Sequence, residues 1–180
     1  MRNSWLSFTI PNEIRSRLHD IALNIASKTK FDPMPYNYIH MTAVFLGNKT
    51  RVTPEMLDIV AQYDLSGAFR FDRLEYFPPS KLNLIVAIFE TDNSEIAIKL
   101  AEMRKQLKNE FGFDMSERDL QAQLFVPHFT LGKLNLTKRE LDYLINTNFL
   151  QNIENEIENK GDFMFEVEQT DSPLHLCGGT

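Results

Sequence analysis

Apolar and polar residues alternate from Trp5 to Ile10 and then meet Pro11, a residue suited to the first turn of a helix. Ile14, Leu18, Ile21, Ala22 and Ile25 follow at helical spacing, so the chain is expected to open strand then helix. Lys28 to Tyr38, with two prolines and two tyrosines, reads as a loop. Tyr38 to Gly47 reads as a strand closed by the turn pair Gly47-Asn48, and Thr53-Pro54-Glu55 as the capped start of a helix with Met56, Leu57 and Val60 on its apolar side. Phe69 to Tyr76 alternates until Pro78-Pro79, and Leu82 to Phe89 reads as a buried strand, the two forming a hairpin with a long connection. Ser94 is placed to cap a helix whose stripe is Ile96, Leu100, Met103, Leu107 and Phe111, with Gly112 where the helix should stop. A polar stretch with Arg118 precedes the next strand, Leu124 to Gly132. Thr137-Lys138-Arg139-Glu140 is a capping box, flanked by Leu136 and Leu141 as a hydrophobic staple. Phe163 to Val167 and Leu174 to Cys177 give two closing strands. No linker divides the chain, so 1–180 is expected to be one α+β domain of two lobes.

Composition narrows the class. Of 180 residues, 43% are hydrophobic and 24% charged, ordinary for a soluble globular chain. The longest apolar run, Leu84 to Phe89, is far below the roughly 20 residues of a membrane span, and the alternating N-terminal segment does not read as a signal peptide. Cys177 alone makes no intrachain disulfide, and one cysteine with four histidines gives no Cys-based zinc site. A cytoplasmic protein without metal or other cofactor is the expectation. The formal net charge of −6 argues against duplex DNA as partner, because displacing counterions takes a basic face. Much of that surplus is local: seven acids and one lysine lie between Gln151 and Asp171, read as a solvated loop or helix face. The near-neutral remainder leaves room for a small anionic ligand.

Two segments carry the candidate chemistry. Ile39-His40-Met41-Thr42 and Pro127-His128-Phe129-Thr130 are alike, and 88 residues separate their histidines (128 − 40). On a strand, His40 and Thr42 share one face, with Ile39, Met41, Ala43 and Phe45 on the other. His128 and Thr130 do the same against Pro127, Phe129 and Leu131. Each segment runs on through a glycine, Gly47 or Gly132, to a helix capped by Thr53 or Thr137. That repetition reads as an internal duplication, whose pseudo-twofold would set the two His-x-Thr faces across a cleft. Two imidazoles with ordinary pKa near 6.5 can supply one base and one acid at neutral pH. Two hydroxyls can hold the non-bridging oxygens of a phosphate between them. The spacing leaves open which histidine is base and which acid.

At these residues the sequence resembles the two-histidine phosphoesterase superfamily, most closely its LigT-like branch of RNA 2′-5′ ligases and cyclic phosphodiesterases. His40-Met41-Thr42-Ala43-Val44-Phe45-Leu46-Gly47 is similar to that branch's first motif, and Pro127-His128-Phe129-Thr130-Leu131-Gly132-Lys133 to its second. Trp5-Leu6-Ser7-Phe8-Thr9-Ile10-Pro11 resembles its opening strand. The resemblance implies a bilobal α+β fold with antiparallel sheets lining a central cleft and helices outside, and it carries the catalytic roles of His40, Thr42, His128 and Thr130. It implies a metal-independent phosphodiesterase acting on 2′-5′-linked oligonucleotides or 2′,3′-cyclic phosphates, with a nucleotide or short single-stranded RNA as partner. A nucleotide-binding module without turnover, or an RNA ligase running the reverse reaction, are the alternatives. Lys133 stands where many LigT-like members have arginine, and simple alternation puts it opposite His128. Tyr36, Arg118 and His175 are candidate substrate contacts, Tyr36 as a stacking face for a base. A monomer is expected, since one chain supplies both halves of the cleft.

Overall fold

The computed structural model describes residues 4–47, 52–113, 115–168 and 174–178; for Ser4 and 174–178 it describes the backbone only. β1 (Ser4–Phe8) is followed by α1 (Asn12–Ala26), with Pro11 one position ahead of the helix and Ile14, Leu18, Ile21, Ala22 and Ile25 as its buried stripe. The expected loop after α1 holds a short strand, β2 (Phe31–Pro33), and a 3-10 turn at Tyr36–Tyr38. Three residues are too few for alternation to show. β2 exists through its pairing with β6 (below), where Pro33 is tolerated because the strand lies at the sheet edge. β3 (Thr42–Gly47) therefore starts later than Tyr38. Asn48, half of the expected turn pair, lies outside the described residues.

α2 (Pro54–Ala61) begins as read, with the Thr53 hydroxyl accepting from the Met56 N–H at 3.4 Å. β4 (Gly67–Phe77) and β5 (Leu84–Thr91) form the expected antiparallel pair. α3 (Ile96–Phe111) has Glu95 rather than Ser94 at its N-cap, and the Asn93 side chain accepts from the Glu95 N–H at 3.1 Å. Gly112, at φ +66°, closes α3 in the left-handed conformation that glycine adopts most readily. β6 (His128–Leu134) starts after Leu124, because Ala122–Leu124 is a 3-10 turn. α4 (Lys138–Asn146) has both bonds of the capping box between Thr137 and Glu140. Thr137→Ala is expected to lower unfolding free energy by about 1 kcal/mol, measured by urea titration; an unchanged midpoint would show that the cap contributes nothing. The acidic stretch begins inside α5 (Phe149–Asn155), which buries Leu150 and Ile153. β7 (Met164–Val167) and β8 (Leu174–Gly178) complete the chain.

The strands form two sheets, one ordered β3-β1-β8 and one β2-β6-β5-β4-β7, with every pairing antiparallel. One hydrophobic core joins them. Leu6 and Phe8 of β1 belong to the same buried cluster as Phe69, Phe89, Phe129 and Phe165, and the Phe8 and Phe69 rings are 5.5 Å apart. This is the two-lobed α+β fold that the resemblance implied. No described helix is long and apolar enough to cross a membrane.

Candidate active site

Both motif strands carry the same irregularity. In β3, Thr42 lies opposite Ser7 and Val44 opposite Leu6, so Ala43 is an extra residue, a bulge. In β6, Thr130 lies opposite Val86 and Gly132 opposite Ile85, so Leu131 is extra. Each bulge slips the alternation by one just past the threonine. Met41, Ala43 and Val44 are buried, and so is Leu46; Phe45 turns out at 40% exposure. Phe45, expected among the core residues, instead shares the face of Thr42, because its partner Trp5 is on the same face of β1 as Ser7, the partner of Thr42. The same slip moves Lys133. Its partner Leu84 has the parity of Val86 and Ile88, opposite Thr130 and His128, so Lys133 lies on the histidine's face rather than the reverse one.

The two imidazoles are held alike. His40 Nδ1 is 2.6 Å from the Tyr38 carbonyl oxygen, and His128 Nδ1 is 2.8 Å from that of Val126, in each case two residues back. A carbonyl only accepts, so the proton sits on Nδ1 and the neutral ring presents its lone pair at Nε2. Each ring also has an aromatic neighbour. Trp5 stacks on His40 with centroids 4.5 Å apart at 21°, and Phe77 lies 5.3 Å from His128. Burial pushes the His128 pKa below its ordinary value, against the smaller upward pulls of the Val126 carbonyl and the Glu75 carboxylate.

A cavity of about 270 Å³ brings the halves together. Thr42 from one sheet and His128 from the other line it, with Phe77, Arg104, Arg118 and Phe125. Thr130 is half-buried two residues beyond His128 on the same face. Of the further candidates, Arg118 reaches this cavity. Tyr36 does not line it: its ring meets the edge of His19 at 5.8 Å, beside Arg15 on α1. His175 lies opposite Ser7, which lies opposite Thr42, so the three share a row across the sheet; the His175 side chain is outside the described set.

The cavity also holds Arg104, which the sequence does not single out. It follows Met103 on α3, at the margin of the apolar stripe, and nothing in helical spacing distinguishes it from a solvent-facing arginine. Its Nε and Nη2 donate to the Ala43 carbonyl at 2.8 and 2.6 Å, and Nη1 donates to the Asp119 carbonyl at 2.9 Å. It therefore ties the bulge of β3 to the turn that carries Arg118. Trp5 was legible only as a residue facing away from Leu6 and Phe8. Among the described residues, no three His, Cys, Asp or Glu side chains converge to hold a metal ion.

Each lobe thus carries a bulged His-x-Thr strand, and the cavity joins the Thr42 of one to the His128 of the other, with His40 and Thr130 outside its lining. No family model and no curated protein matches the sequence. Solved structures do. The Thermus thermophilus protein TT0787 superposes with TM-score 0.52 at 21% identity, over 75% of this chain and 75% of its own. A conserved Agrobacterium tumefaciens protein of unknown function gives 0.54 at 11% identity, over 98% of this chain and 79% of its own. Escherichia coli LigT complexed with 3′-AMP gives 0.48 at 20% identity over 73% and 72%, a weaker likeness. The chain shares the fold of the first two.

Proposed function

We propose that this chain is a metal-independent two-histidine phosphoesterase that cleaves 2′-5′-linked oligonucleotides or 2′,3′-cyclic nucleotide phosphates. The observation that carries the reading is the repeated motif geometry: two imidazoles, each with Nδ1 fixed by the carbonyl two residues back and each followed by a threonine on its own face. The lowered pKa of His128 favours its neutral form, which a base requires, and we assign it as base, with His40 as acid. On a 2′-5′ linkage, His128 Nε2 takes the proton of the neighbouring 3′-OH, whose oxygen attacks phosphorus. His40 gives a proton to the departing 5′-oxygen, and a 2′,3′-cyclic phosphate remains. On a cyclic phosphate, water replaces the 3′-OH and a ribose oxygen leaves. Thr42 and Thr130 donate to the non-bridging oxygens as charge builds on them.

The test is cleavage of 2′-5′-linked triadenylate beside its 3′-5′ isomer, in EDTA. Cleavage of the 2′-5′ substrate supports the reading; if neither is cut, 2′,3′-cyclic AMP is the remaining substrate, and failure there as well overturns it. The assignment of roles has its own measurement. A base must be neutral, so kcat/KM is expected to fall with decreasing pH through a value below the ordinary histidine pKa of 6.5. The Glu75 carboxylate raises the His128 pKa, so Glu75→Gln should move this limb to still lower pH. A limb above 6.5, or one shifted upward in Glu75→Gln, contradicts the assignment.

A further inference from the structure

We infer that the cavity beside the two motifs binds a second, non-reacting phosphate, so that the preferred substrates are nucleotides with a phosphate flanking the scissile one. This rests on the reading above for the position of the reacting phosphate and goes beyond it in substrate class. The cavity is cationic in a chain whose net charge is −6. Two guanidinium groups line it, Arg104 and Arg118, against one carboxylate, Asp119. That carboxylate is already engaged, accepting from the Ser116 N–H at 3.1 Å and the Ser116 hydroxyl at 2.7 Å.

Neither arginine is neutralised. Arg104 is largely buried, and its three bonds go to uncharged carbonyls, leaving two of its five N–H groups without an acceptor among the described residues. Burial pushes its pKa down while the nearby Asp119 charge pulls it up, and a guanidinium stays protonated throughout. The Arg118 side chain is exposed, and no hydrogen bond or ion pair to another described residue holds it. A desolvated cation beside an unpaired one favours an anion, and planar forks of donors match phosphate oxygens. Size agrees: about 270 Å³ lies just under the roughly 300–1,000 Å³ of small-molecule sites, room for phosphate and sugar rather than a whole dinucleotide. Since Thr42 and His128 line the same cavity, a group held by the arginines is contiguous with the reacting centre.

The experiment is equilibrium binding of 3′-AMP and of adenosine 3′,5′-bisphosphate by calorimetry, to the wild type and to Arg118→Gln and Arg118→Lys. Arg118 lies on an exposed turn, so both variants should fold, which circular dichroism checks. The wild type is expected to bind the bisphosphate at least 10-fold more tightly, Arg118→Gln to lose most of that preference, and Arg118→Lys to retain part of it. Equal affinity of the wild type for the two ligands, or an undiminished preference in Arg118→Gln, overturns the inference. Binding is read without turnover, so the two proposals fail separately. A chain that prefers the bisphosphate but cleaves nothing loses the phosphoesterase reading. One that cleaves 2′-5′ linkages without this preference loses the flanking-phosphate site.

Discussion

His40→Ala and His128→Ala are each expected to lower kcat/KM by roughly 10²–10⁴, the usual contribution of a positioned acid or base. The size follows from how each ring is held. A carbonyl two residues back fixes Nδ1 and an aromatic neighbour limits rotation, so each ring is oriented before substrate arrives, and His128 lines the cavity directly. Folding should survive, because neither ring belongs to the shared core, which is built from the residues between them on the opposite face. Losing one ring contact costs on the order of 1 kcal/mol, about 2–4 °C in the unfolding midpoint for a chain of this size. The two measurements belong together: a variant that is folded and nearly inactive supports the role, whereas near wild-type turnover from either single variant removes it. The double variant should be little worse than the poorer single one if, as proposed, acid and base act in one step.

Gly132→Ala is expected to show the largest loss of stability of any single methyl addition in the motifs. A Cβ at Gly132 would run into the Asp32 carbonyl oxygen and come within 2.5 and 2.8 Å of the Phe31 Cζ and Cε1 atoms. Asp32 is main chain held in β2 by its pairing with Lys133, so the strand itself must move. Overpacking of this kind costs about 3 kcal/mol or more when backbone cannot yield. Denaturant titration measures it, and hydrogen exchange should show β2 opening ahead of β5. Stability within about 0.5 kcal/mol of wild type would mean that β2 does not lie on Gly132 as described. The contact also explains why the second motif has glycine where the first has Val44: only β6 has a strand crossing its bulge at that side.

Much of this was legible along the chain. The long stripes of α1 and α3, the capping box at Thr137 and the β4–β5 pair follow from periodicity, because each buries one face and punctuates its ends with residues of known backbone preference. The two His-x-Thr segments were legible because they repeat. Simple alternation fails where the ladder gains a residue: a bulge has no sequence signature of its own, so alternation places Phe45 and Lys133 on the wrong face. β2 was missed because pairing, not pattern, makes it a strand. Ser94 is not the cap because α3 starts one residue later, and the Asn93 side chain instead accepts from the Glu95 N–H just ahead of it. Arg104 is the deepest case. Its burial depends on where α3 crosses β3, a long-range contact that helical spacing cannot contain.

The matched bulges have a consequence for direction. They bring Phe45 and Lys133 to equivalent stations, five residues past His40 and His128 (45 − 40 and 133 − 128), each on the face of its imidazole. The two motif strands are thus alike from histidine to bulge, while the stations beyond differ in kind: a ring beside Trp5 at one, an ammonium beside Asp32 at the other. A phosphodiester is itself close to symmetric around phosphorus, and a fully symmetric cleft would accept it either way round. On the proposed reading, the apolar station and the charged one tell apart the two nucleotides on either side of the phosphorus, so that a bound strand has a leading and a trailing end.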